Sequence, residues 1–369
     1  MPARSKMGGA MLAAMLLGWS MPGGTPASAR DDATTRTGWQ KVDTEPYRLN
    51  NKQDAIAFAD RKLGLYGNGT GRIYRTEDGG LHWRLVWRKP GTYVRTLEFV
   101  DDRTAVMGNV GPGYFPDVSD RQPLYVTHDA GSTWAPVVPQ SGPSIAGLCA
   151  LDVLKEQDRA LAIRAGGRVG GPAALIESFD GGTTWRSRDM SALTGMILDI
   201  RFLDRRTGFI AGASQPDEDQ AHARILKTTD EGATWRAVFD SSRQGDNTWK
   251  LAFPSATVGY ATIMSYAAPS GEARGYVVKT EDGGEHWRPL VVTRDHDWVP
   301  YGISFISDTH GWVGGATGGY ETTDGGGTWH RVSMGLSTNK MRILPNPDGG
   351  HTVFAIGHDL YRLDLPADP

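Results

Sequence analysis

The chain has one cysteine, Cys149, no cluster of Lys or Arg, and no apolar run longer than the short one near its start. A single cysteine excludes an internal disulfide, so Cys149 is expected as a small buried apolar side chain. Without a basic run the sequence offers no footprint for nucleic acid or for an anionic membrane surface. Charged residues make up only 22%, while Gly numbers 48 and Trp 12, which excludes both a disordered chain and a helical bundle and leaves a turn-rich, aromatic-rich, all-β protein.

Residues 1–29 begin with Arg4 and Lys6, continue through the apolar stretch 8–19 and end in Ala27, Ser28 and Ala29, the layout of a secretory signal with cleavage expected after Ala29. Twelve residues are too few to span a bilayer, so no stable membrane insertion is expected once the signal is removed. No cysteine follows that could carry a lipid anchor. After a short linker, 30–37, one domain is expected over 38–366, periplasmic or secreted; the chain after residue 29 has 37 basic against 42 acidic residues and a net charge of −5.

An eight-residue pattern, Ser/Thr-x-Asp-x-Gly-x-Thr/His-Trp, recurs six times, with Asp78, Asp129, Asp180, Asp230, Asp282 and Asp324 spaced by 51, 51, 50, 52 and 42 residues. Spacing near 50 fits one four-stranded propeller blade per copy. The Asp carboxylate is placed to accept backbone N–H groups of the turn that follows. The Gly two positions on tolerates positive φ, and the Trp opens the outer strand, where its ring fills the wedge between blades. A scaffold role is therefore expected for all six aspartates. Upstream of most copies an alternating strand, a polar turn and a Gly-aromatic pair mark the two inner strands, as in 303–312. In the third repeat, 148–161, this signal leaves the register open.

The chain ends fix the blade count. Segments 341–344, 352–357 and 359–364 read as three strands of a last blade that lacks its outer strand, and 38–42, around Trp39, reads as an outer strand with no blade of its own. Pairing them closes the ring and removes the open sheet edge. Residues 39–365 divided among seven blades give about 47 per blade, which fits such repeats better than six.

With these residues in place, the chain resembles the BNR, or Asp-box, propellers, and among them the family of the photosystem II assembly and stability factor; its strongest stretch is 303–332. The resemblance implies an exported, non-enzymatic binding scaffold with a protein or peptide partner and no cofactor. Asp-boxes also occur in sialidase-type glycoside hydrolases, and a glycan-binding or hydrolytic role is the alternative. Their aromatic-Arg-Ile-Pro mark is absent: the nearest match, Gly71-Arg72-Ile73-Tyr74, lacks the Pro.

Site residues are sought on the variable loops and in the channel. Loops 111–122, 214–224, 240–249, 266–275 and 293–300 carry aromatic and charged residues, among them Tyr114, Phe115, Glu218, Tyr266, Trp249 and Trp298. Near the starts of inner strands lie Arg95, Lys250 and Arg342, with Trp249 and Tyr301 beside them. Converging cations there would suit an acidic peptide tail, a carboxylate or a phosphate, unless they pair with Glu98, Asp199 or other channel acids. Trp249, Trp298 and Tyr301 are the expected stacking platforms if the ligand is a sugar.

Overall fold

The computed structural model describes residues 38–48, 51–156, 159–268 and 271–367; the expected signal segment 1–29 and linker 30–37 lie outside them. Within them, twenty-eight strands form seven four-stranded antiparallel sheets and there is no helix. The sheets are the blades of a seven-bladed propeller. Its inner strands are Gln53–Phe58, Val94–Phe99, Ala150–Glu156, Met196–Phe202, Asp246–Ala252, Pro300–Phe305 and Lys340–Pro345.

Blade seven is closed by the start of the domain. Gln40–Lys41 pairs antiparallel with Leu360–Leu365, with Gln40 opposite Arg362. Trp39 meets Trp312 of blade six edge-on at 6.1 Å, and Val42 extends the pairing through its N–H to the Leu360 carbonyl.

Each Asp-box folds as its sequence dictates. The carboxylate accepts the N–H of the residue four positions on, as in Asp129 to Thr133 at 2.8 Å and Asp324 to Thr328 at 2.9 Å. The Thr or Ser two residues before it donates to the same oxygen. The turn glycine has positive φ in all six copies, for example +89° at Gly131. There a Cβ would also lie 2.9 Å from Leu65 of the neighbouring blade, so the turn and the blade packing require the same residue.

Box Trp rings pack against neighbouring aromatics, as Trp83 does against Phe58 and Tyr66. The indole N–H of Trp83, Trp134, Trp185 and Trp287 returns to the box glycine carbonyl. Every box whose inner hairpin turn is described hydrogen-bonds to that turn, as in Gly79 N–H to Lys62 and Gly325 N–H to Thr309. Both kinds of turn thus share one face, the box face, and the longer connecting loops lie on the other.

The third repeat, open in sequence, folds as Ala150–Glu156 paired with Arg159–Gly167, with a bulge between Leu154 and Lys155. The extra residue is Leu161 of the second strand, which interrupts the alternation of that strand.

Candidate functional site

Five inner strands carry a β-bulge near their starts. The residues that drop out of register are Asp54, Arg95, Leu198, Trp249 and, in a wider break, Tyr301 with Gly302. A bulge re-aims a side chain without ending the strand. Repeated around the ring, it assembles the centre of the channel from residues of five blades.

Toward the loop face this centre is apolar. Leu198, Trp249 and Tyr301 pack with Tyr93, Cys149, Met196 and Tyr266. Phe115, from the loop of blade two, stacks on Tyr93 at 4.6 Å. The long loops therefore turn their aromatic residues inward to close this end. Glu218 is buried with them and pairs with Arg168 of the adjacent loop at 3.1 Å, its pKa raised by burial to about 7.

This corrects the expected sugar platforms: Trp249 is 1% exposed and Trp298 2%, and Tyr301 is buried as well. Trp298 does not join the channel at all. It packs between blades five and six, edge-on to Tyr320 at 5.1 Å, because it precedes its inner strand and lies outside the bulge.

Below the apolar layer the channel is charged. Asp54 accepts from Arg95 at 2.5 Å and from the Tyr93 hydroxyl at 3.1 Å; the Asn339 amide also donates to it, and Lys52 Nζ lies 3.5 Å away. Burial opposes ionisation of Asp54, but the charges of Arg95, Lys52 and Lys340 outweigh it and hold the carboxyl well below its usual range. Lys250 Nζ donates to the Leu198 carbonyl at 2.8 Å and lies 3.4 Å from Asp199. Lys340 Nζ donates to the Arg95 carbonyl at 3.0 Å and, among the described residues, has no carboxylate in ion-pair contact, though the charge of Asp54 acts on it. Burial and then the neighbouring cations push the Lys340 pKa down. Nearer the box face Arg342 pairs with Glu98, and Arg201 lies 3.8 Å from Asp152.

Lys250, Lys340, Arg342 and Arg201 line one cavity of about 70 Å³ together with Glu98, Asp152 and Asp199. Side-chain exposure rises along the channel from 1% at Arg95 to 27% at Arg342 and 54% at Arg201. The charged end of the channel therefore faces the Asp-box side, opposite the loops.

Arg95, Lys250 and Arg342 do line the channel, and each has the acidic neighbour that could neutralise it. Lys52, Asp54 and Lys340, which sequence reasoning missed, change the balance. Six channel cations, Lys52, Arg95, Arg201, Lys250, Lys340 and Arg342, face four carboxylates, Asp54, Glu98, Asp152 and Asp199. Burial acts on both signs: it raises the Asp152 pKa to about 6 and lowers those of Lys52, Lys250 and Lys340. The Asp-box aspartates stay in their turns, engaged with their own backbone.

The fold and site together define a seven-bladed propeller with a cation-rich channel. No protein-family model matches the sequence, and no curated protein does. Among solved structures the chain is similar to YCF48 bound to D1 peptide, at 15% identity and a TM-score of 0.63 over 91% of this chain and 99% of that one. It is similar also to YCF48 from Cyanidioschyzon merolae, at 16% identity and a TM-score of 0.61 over 89% and 99%. The GH74 xyloglucanase from Xanthomonas campestris matches at 15% identity and a TM-score of 0.57, over 84% of this chain and 52% of that one. These neighbours agree with the resemblance read from the repeats, and at such identities what they share with this chain is the fold.

Proposed function

We propose that this chain is an exported, non-enzymatic binding scaffold that takes an acidic segment of a protein partner at the box-face mouth of its channel. The observation that carries this is the excess of basic over acidic side chains in the channel, six against four, with Lys340 lacking an ion-pair partner among the described residues. Burial and the neighbouring cations disfavour the charged form of Lys340, and an incoming carboxylate restores that charge while forming charge-assisted hydrogen bonds. The fold supports the reading, since YCF48 on the same architecture is described with a bound peptide. Export rests on the layout of residues 1–29 alone.

The test is a fluorescence-anisotropy titration of the purified protein with a labelled oligo-Glu peptide and its oligo-Gln counterpart. Saturable binding of the acidic peptide alone, weakening as salt rises, supports the proposal. Equal binding of both, or of neither, contradicts it.

A glycan-directed activity has one observation in its favour: Asp152, with its pKa raised to about 6, shares the cavity with Glu98 and Asp199, and glycosidases use a carboxyl pair with divided protonation. Against it, the aromatic rings that would stack a sugar are buried. Release of reducing sugar from a glycan panel, abolished in Asp152→Asn, would decide for it.

A further inference from the structure

The junction between blades three and four departs from the chain's own repeat. At the junctions that follow blades four, five and seven, the second strand of the earlier blade places an aromatic ring on a phenylalanine at or just past the end of the next inner strand. Phe209 meets Phe253 at 4.3 Å, Tyr260 meets Phe305 at 3.7 Å and Phe354 meets Phe58 at 4.7 Å. Opposite each ring, on the third strand, sits a cation, Lys227, Lys279 or Arg362.

In blade three both positions change. Arg164 replaces the ring, its guanidinium 3.5 Å from the centre of Phe202, and Glu177 replaces the cation opposite it. A guanidinium fills less of the wedge than a ring, and a cavity of about 220 Å³ remains, lined by Leu154, Leu161, Ala162, Arg164, Phe179 and Arg205 among others.

The charges there are unbalanced. Arg164 is 1% exposed, lies 3.5 Å from Glu177, and donates through one Nη to the Glu231 carbonyl at 3.3 Å, while its Nε and other Nη have no hydrogen-bond partner among the described residues. Glu177 is shared with Arg186 and Arg188, Glu231 is taken by Arg205 at 2.9 Å, and Asp152, whose charge also reaches Arg164, lies 3.8 Å from Arg201, so five arginines meet three carboxylates. Phe179 stands at the rim, 44% exposed, with Arg164 and Arg186 against its ring.

We infer that this cavity is a binding site for a small monocarboxylate carried on an aromatic or branched apolar body. The carboxylate satisfies the open N–H groups of Arg164, and the body lies against Leu154, Leu161, Ala162 and Phe179. The size fits, since a cavity of about 150 Å³ already accepts benzene. This site is separate from the channel and does not depend on its role.

The probe is 4-fluorophenylacetate, followed by ¹⁹F line broadening against the purified full chain. The expected result is saturable broadening that phenylacetate reverses, with benzyl alcohol and acetate each roughly tenfold or more poorer as competitors because each lacks one half of the recognition. Ala162→Leu, which fills the cavity without altering charge, abolishes the broadening, and Phe179→Ala, a surface change, weakens it severalfold. The inference is overturned by no saturable broadening with the wild type, by benzyl alcohol competing as well as phenylacetate, or by full binding in a folded Ala162→Leu protein.

Discussion

Arg95 of blade two donates to Asp54 of blade one across 2.5 Å, and neither side chain is more than 1% exposed. A charge pair this deep ties neighbouring blades at the axis, and losing one partner leaves the other buried and uncompensated. Asp54→Ala is expected to cost about 3–5 kcal/mol in urea unfolding, and Asp54→Ala/Arg95→Met to return part of that loss. A double variant less stable than the single one would contradict this view of the pair.

Ring closure depends on very few residues. Gln40–Lys41 is the whole outer strand of blade seven, backed by Trp39 against Trp312. Deleting residues 38–42 should bare the edge of Leu360–Leu365 and produce higher-order species on size exclusion, because an unpaired edge recruits other chains. Unchanged elution and thermal midpoint would show that closure lies elsewhere.

The Asp-boxes set the acid limit of the fold. Asp78, Asp129, Asp180, Asp230 and Asp324 are held near 2, and Asp282 lower, against an ordinary value of 3.8. Burial opposes this at Asp78 and Asp129 and is outweighed; in every box, hydrogen bonds from the residue four positions on favour the carboxylate. With folded pKa values depressed, their contribution is complete above about pH 4 and is lost as pH falls toward 2. Circular dichroism should show a cooperative acid transition in that window, shifted to higher pH in Asp129→Asn.

Asp152 has the opposite sign. Burial raises its pKa to about 6 against the attraction of Arg201, so the native state holds its proton more tightly than the unfolded chain does. Its contribution is full below pH 3.8 and is lost as pH rises to 6, on the order of 3 kcal/mol. Asp152→Asn should therefore gain on the wild type in urea midpoint between pH 4 and 6. A difference that is constant across that range would refute the shift.

Much of the fold was legible because its signals are local. The six boxes carry their own turn chemistry, and Trp39 repeats the outer-strand pattern of Trp329, so blade count and closure could be read from spacing. The third repeat resisted for a physical reason: Leu161, bulged out of register opposite Leu154 and Lys155, breaks the alternation of its second strand. The site was half legible. Arg95, Lys250 and Arg342 stand out as cations in alternating strands. Lys52 and Asp54 lie at the start of blade one, Asp54 at the same kind of bulge as Arg95, with no local pattern that sets them apart. Trp298 looked like a platform because a loop tryptophan reads as exposed, yet its ring is needed between blades five and six. Which end of the channel is open depends on how the loop aromatics fold inward, a tertiary matter that no local pattern records.

The most direct test of the channel reading is Lys340→Met. Lys340 is 8% exposed and, among the described residues, has no ion pair, so a neutral side chain of similar length should leave the protein at least as stable. The same change should weaken binding of the oligo-Glu peptide roughly tenfold or more, since it removes a buried partner for the incoming carboxylate. Equal or greater stability with that loss of affinity is the predicted result, and unchanged affinity in a folded Lys340→Met protein would contradict the account.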